Sequence, residues 1–155
     1  MTATMDKPQL VTVRCRGTWE PKVRTALRVR RFEPFYSDEP VALGGDDTAP
    51  NPMEYMMAAL NGCVSVMIAV IAAEMEFKYE AVELLADGVL DVRGLMGVPG
   101  VQPHFTEVRL TVKIKTDEPR ERLDELKEKV EARCPAAGLI NAARVPFHST
   151  WEYLV

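Results

Sequence analysis

The sequence is poor in the features that usually announce a function. It has no Walker loop, no GxGxxG after a candidate strand, no CxxC pair and no histidine pair at metalloprotease spacing, so nucleotide, dinucleotide and zinc-hydrolase chemistry have no motif support. Its two histidines, His104 and His148, stand alone in or beside strand-like segments and are assigned no role. Net charge is small, −4 with both signs interspersed, which gives no electrostatic case for nucleic acid or an anionic membrane surface. The opening MTATMDKPQL holds no apolar block of signal-peptide length, so secretion is not expected. From Gly62 to Ala73 the apolar stretch runs 12 residues before Glu74. That is short of the ~20 a membrane span requires and predicts a buried helix instead. The three cysteines, Cys15, Cys63 and Cys134, cannot all pair within one chain, and a chain of this length needs no disulfide scaffold. A reducing, cytoplasmic setting is expected.

What is present is an ordinary globular composition, 47% hydrophobic and 27% charged, with 11 prolines spread along the chain. At 155 residues a single domain spanning 1–155 is the simplest expectation. The segment from Gln9 to Pro40 alternates apolar and polar residues on both sides of WEPK, which predicts two strands in a hairpin. Within it Arg28 and Arg30 fall on one strand face, read as solvated. A glycine- and proline-rich loop, VALGGDDTAPNP, leads to a helix from Pro52 to about Met75, with Asn51 as N-cap and Pro52 at the first helical position.

Beyond the helix, KYEAVELLADGVLDVRG predicts one strand, or two short ones around Asp87-Gly88, then a loop, then a strand in HFTEVRLTVKIKT. RERLDELKEKVEARC places Leu123, Leu126 and Val130 on one helical face, with a charged face read as solvated. Pro135 must break that helix and suits the start of a second, shorter one; FHSTWEYLV closes as a strand. The order is ββ, long helix, ββ, two helices, β, an α+β arrangement.

Reactive chemistry is left to the cysteines. Cys63 sits mid-helix among apolar residues, where a structural cysteine is the common case. Cys134 precedes a proline at a helix start, where backbone N–H groups and the helix dipole stabilise a thiolate. Met53, Met56 and Met57 suit either the core or the lining of an apolar pocket. Cys15, in a strand beside Arg14 and Arg16, is expected to be buried.

Taken together, these pieces resemble the osmotically inducible protein and organic hydroperoxide resistance family, OsmC/Ohr, over nearly the whole chain. The carriers are Asn51-Pro52, Cys63 thirteenth in the stretch that begins at Asn51, AALNGC in place of the family's AALGGC or AAHAAC, and Cys134-Pro135. Trp19-Glu20-Pro21 followed by Arg24 is similar to the family's WEG turn and its following arginine. Arg28 and Arg30 are alternatives for that arginine.

The resemblance implies an intertwined homodimer in which long central helices pack between two mainly antiparallel sheets and each active site draws on both chains. An apolar circumference over residues 53 to 73 agrees, since a helix without a polar side must be surrounded. The resemblance also implies a thiol-dependent peroxidase acting on organic hydroperoxides in oxidative stress defence. Cys63 would be the nucleophile that becomes a sulfenic acid, Cys134 the partner that closes a disulfide, and Arg24 the cation supporting the thiolate. No bound cofactor or metal is implied; the reductant would be an external dithiol of lipoyl type.

One departure stands out. Peroxidase members carry a glutamate at the third position of the helix start, and it helps hold the arginine; here that position is Met53 and Glu54 follows. At roughly 100° per residue Glu54 and Cys63 face opposite sides of the helix, while Glu54, Asn61 and Ser65 share one line. Glu20 and Asp38 are then the candidates to hold Arg24. The departure leaves an alternative function, an OsmC-fold protein with weak or no peroxidase activity that binds a hydrophobic small molecule.

Overall fold

A computed structural model describes residues 7–154. The chain forms two compact units, Met1–Pro52 and Met53–Val155.

In the first unit, β1 (Arg16–Trp19), β2 (Thr25–Arg28) and β3 (Phe35–Ser37) make an antiparallel sheet in that order. The predicted hairpin is its β1–β2 half, closed by the Glu20 amide donating to the Arg24 carbonyl at 2.9 Å. The third strand was not anticipated. Gln9 to Cys15 are exposed and outside any strand, so Cys15 is exposed rather than buried. Arg30 lies in the turn after β2 at φ 48° and stacks its guanidinium 4.7 Å from the Phe32 ring centre, so it does not share a strand face with Arg28. After β3 the chain makes a single 3-10 turn, Val41–Leu43, ending at Gly44 with φ 90°, a conformation that glycine adopts without strain.

The second unit begins with α1, whose helical residues run Pro52–Met75 as predicted. It is long and apolar enough to cross a membrane by length and composition, so the twelve-residue estimate understated it. One stripe enters the core: Leu60, Val64, Ile68, Ile71 and Ala72 are buried, while Met53, Met56, Val66 and Val70 stay exposed within this chain. The predicted burial is thus met on one side of the helix. Each large apolar side chain so buried stabilises the unit by roughly 1.5–3 kcal/mol.

That stripe packs into a core shared by one face of a second sheet, β4 (Ala81–Leu90), β5 (Phe105–Lys115) and β6 (Phe147–Tyr153), in that order. β4 pairs antiparallel with β5 and β6 pairs parallel with it. Parallel neighbours need a long crossover, and α3 (Arg120–Arg133) with α4 (Pro135–Ala142) supplies it. Along β5 the alternation decides which face is dry: Val108, Leu110, Val112 and Ile114 are buried, and Arg109, Lys113 and Lys115 are exposed. A short helix, α2 (Val92–Leu95), replaces the end of the segment expected to be strand and enters the expected loop, with Asp91 accepting from the Arg93 amide as its cap.

β4 runs unbroken through Asp87-Gly88. Gly88 is there for packing: a Cβ would lie 2.4 Å from the Phe105 ring, which is 7% exposed and held by the core. We expect Gly88→Ala to lower unfolding free energy by about 1–3 kcal/mol, the usual cost of overpacking. Gly138→Ala, on an exposed turn of α4 with open space around it, should raise stability by roughly 0.5–1 kcal/mol. Urea unfolding of both variants checks the pair, and equal stabilities would refute the packing role of Gly88.

Candidate active site

Cys134 owes its position to its neighbour. Pro135 has no N–H to continue α3, and a residue before proline is pushed to extended geometry. Cys134 accordingly sits at φ −74°, ψ 114°, between the two helices. Its amide closes α3 by donating to the Val130 carbonyl at 2.9 Å, and its carbonyl opens α4 by accepting from the Gly138 amide at 2.9 Å. The side chain turns inward and is 2% exposed.

Cys63 approaches from α1, at the edge of the buried stripe. It is partly exposed while packing against the core cluster. The two sulfurs lie 3.2 Å apart, with the Cys134 thiol donating toward the Cys63 sulfur, and both cysteines are free. A disulfide bond is about 2.05 Å, so closure needs an approach of roughly 1 Å. The chain separation of 71 positions is therefore no obstacle.

The electrostatics of Cys134 differ from the sequence expectation. Its sulfur does meet the start of α4, accepting from the Ala137 amide at 3.5 Å. Burial nevertheless wins: desolvation pushes its pKa up, the amides of Ala137 and Ala136 oppose that, and the adjoining Cys63 sulfur adds to the rise. Burial thus favours the protonated form of Cys134. A half-buried thiol and a dry one are thus in contact.

The charged face of α3 is more than solvated surface. Arg133, next to Cys134, grips both carboxylate oxygens of Glu74 on α1, one at 3.0 Å. Arg122 donates to the Met75 carbonyl at 2.8 Å, Arg120 to that of Trp151 at 3.0 Å and Lys127 to that of Ser149 at 3.0 Å. These contacts tie α3 to the end of α1 and to β6. Amphipathic spacing identifies the apolar face of α3 but not the partners of its charges. On α1 the Glu54–Asn61–Ser65 line leaves Asn61 Oδ1 buried without a hydrogen-bond partner among the described residues.

Arg24 belongs to the first unit, and its surroundings there are specific. Its Nε donates to Glu20 at 2.8 Å, its Nη1 donates to the Thr48 hydroxyl, and its guanidinium carbon lies 4.2 Å from the Tyr36 ring centre. Of the two acids the sequence offered, Glu20 holds Arg24 directly. Asp38 is 2% exposed and reaches it through Thr48, whose hydroxyl donates to Asp38 Oδ2 at 2.8 Å. Thr48 was not singled out in the sequence, since a lone threonine in a loop carries no signal.

Met57 packs against the core, whereas Met53 and Met56 are exposed. A surface cleft of about 530 Å³ is lined by residues such as Lys78, Glu80, Lys115 and Pro119 and contains neither thiol.

A family model described as OsmC-like protein matches residues 44–149, a span that holds both cysteines and excludes Arg24. No curated protein matches the chain. Among solved structures, an OsmC like protein of Mycoplasma pneumoniae is similar at TM-score 0.78 and 14% identity, over 97% of this chain and 100% of that one. An organic hydroperoxide resistance protein OsmC of Legionella pneumophila is similar at TM-score 0.70 and 19% identity, over 96% and 100%. An organic hydroperoxide resistance protein of Elizabethkingia anophelis is similar at TM-score 0.71 and 19% identity, over 95% and 98%. At these identities the likeness is one of fold.

The pKa of Cys134 has a consequence for stability. Because the folded state holds this proton more tightly than the unfolded chain, the contribution is full below the ordinary thiol value of 9.0 and is lost as pH climbs through the higher folded value. Under reducing conditions, urea unfolding should show stability falling above that pH, with a shallower fall in Cys134→Ala. Identical slopes in the two proteins would contradict the assignment.

Proposed function

The chain belongs to the OsmC-like family, and from that premise we propose that it is a thiol-dependent peroxidase that reduces organic hydroperoxides in oxidative stress defence. The observation that carries the reading is the contact of two free thiols of unequal burial, 3.2 Å apart. On this reading the partly exposed Cys63 meets the peroxide first and the buried Cys134 reacts second. The hydroperoxide class is taken from the Legionella and Elizabethkingia proteins of the same fold, which are named for organic hydroperoxide resistance.

In this reading the Cys63 thiolate attacks one peroxide oxygen and the O–O bond breaks. Sulfur takes up the oxygen as a sulfenic acid, and the alkoxide leaves to become an alcohol on gaining a proton. The Cys134 thiol then attacks the sulfenic sulfur, forming the disulfide and releasing water made from the sulfenic hydroxyl and the thiol proton. An external dithiol, lipoyl-type in this proposal, returns both cysteines to thiols and is itself oxidised to a disulfide. Arg24 supplies the positive charge that favours the Cys63 thiolate. No resident cofactor enters the cycle, and a reducing cytoplasm supplies the dithiol.

A homodimer is part of the proposal. Val66 and Val70 of α1 are 60% and 41% exposed within one chain, an apolar face that a second copy would cover.

Intact-mass spectrometry after adding an alkyl hydroperoxide or hydrogen peroxide tests the cycle. The wild type should lose two hydrogens by forming a Cys63–Cys134 disulfide, faster with the alkyl peroxide. Cys134→Ser should stop at a trappable Cys63 sulfenic acid, and Cys63→Ser should slow peroxide consumption by at least roughly 100-fold. Oxidation of Cys63 no faster than that of a free thiol in solution would overturn the proposal.

A further inference from the structure

The loop between β3 and α1 is organised around one buried carboxylate. Asp38 accepts from the amides of Glu39 at 2.9 Å, Asp46 at 3.2 Å and Thr48 at 3.1 Å, and from the Thr48 hydroxyl at 2.8 Å. This wrapping demands a glycine: a Cβ on Gly45 would sit 1.7 Å from the Glu39 carbonyl oxygen and 2.8 Å from Asp38 Oδ1. The donors around it hold the Asp38 carboxyl well below its ordinary value, at about 2, the Thr48 amide contributing most. An ionised carboxylate accepts and cannot donate. The Thr48 hydroxyl is therefore committed to donating toward Asp38, and its lone pairs are left to face Arg24.

Arg24 is gripped from three sides: Glu20 from the β1–β2 turn on Nε, Thr48 on Nη1, and the Tyr36 ring of β3 against its planar face. Its Nη2 has no hydrogen-bond partner among the described residues. A guanidinium is a rigid planar fork, so fixing Nε, Nη1 and the ring face also fixes the direction in which Nη2 presents its two N–H groups. Arg24 is thereby a pre-aimed donor.

We propose that Asp38 and Thr48 are positioning residues that orient Arg24, with the Asp38 carboxylate acting through the Thr48 hydroxyl, and so supply a hold on the arginine in a chain that has Met53 where a carboxylate would otherwise serve. The inference rests on the reading that Arg24 supports the Cys63 thiolate. It differs from a merely structural use of the loop in what it predicts: losing the Thr48 hydroxyl changes the behaviour of a thiol to which Thr48 itself need not bind.

The test is site-resolved alkylation of Cys63 in the full-length protein, followed by peptide mass spectrometry as a function of pH, beside the thermal midpoint of each variant. Arg24→Gln should slow Cys63 alkylation at neutral pH roughly tenfold and move its pH profile toward alkaline pH. Thr48→Val, which keeps the shape and removes the hydroxyl, should shift the profile the same way and slow alkylation at neutral pH roughly three- to tenfold. Thr48→Ser should restore the wild-type profile, which a purely steric role for Thr48 would not require. A Thr48→Val profile identical to wild type while Arg24→Gln is shifted overturns the positioning role and leaves Arg24 in place. An unchanged Arg24→Gln profile removes Arg24 from the thiol's support, and the positioning role falls with it.

Discussion

The thiol pair depends on what one proline prevents. Without an N–H at position 135 the helix carrying Leu123, Leu126 and Val130 cannot continue, and the residue before it is held extended. That single break turns Cys134 into the end of one helix and the start of the next, and it points the sulfur into the core rather than along a helical surface. The apolar faces on either side fix the rest: α1 and α3 bury their stripes in one cluster, and Cys63 lies at the margin of that cluster. Cys63, a core residue in sequence terms, thereby stands against a second free sulfur.

Burial then sets the environment of the Cys134 thiol. Desolvation penalises the anion more than the start of a helix favours it, so Cys134 retains its proton while standing against Cys63. The same competition has the opposite result at Asp38, which is as buried as Cys134 yet ionised, because three amides and a hydroxyl converge on it. Whether a buried acid is charged is decided by how many donors reach it, and a fold sets that number locally.

Much of this arrangement was legible along the chain. Pro52 and Pro135 mark helix starts, and the alternation through Val108, Leu110, Val112 and Ile114 marks the central strand and its dry face. The spacing of Asn51-Pro52, Cys63 and Cys134-Pro135 indicated the family. What escaped notice did so for identifiable reasons. β3 is three residues long, too short for alternation to register. Asp87-Gly88 has the composition of a turn, but the glycine is there to admit the Phe105 ring. Cys15 is exposed because β1 starts after it, a boundary that pairing with Thr25–Arg28 sets and that local propensity does not.

The periodic elements, their apolar faces, the helix breaks and the identity of the candidate sulfurs are written along the chain, because each of these follows from a residue and its near neighbours. It takes the folded chain to show that β6 runs parallel to β5, that the Cys134 sulfur stands 3.2 Å from that of Cys63, that Arg133 takes Glu74, and that Glu20 and Thr48 share Arg24. Apart from Glu20 and Arg24, four positions apart across a turn, these are contacts between residues remote in the chain. They are set by how buried faces meet, and local pattern holds no record of which face meets which.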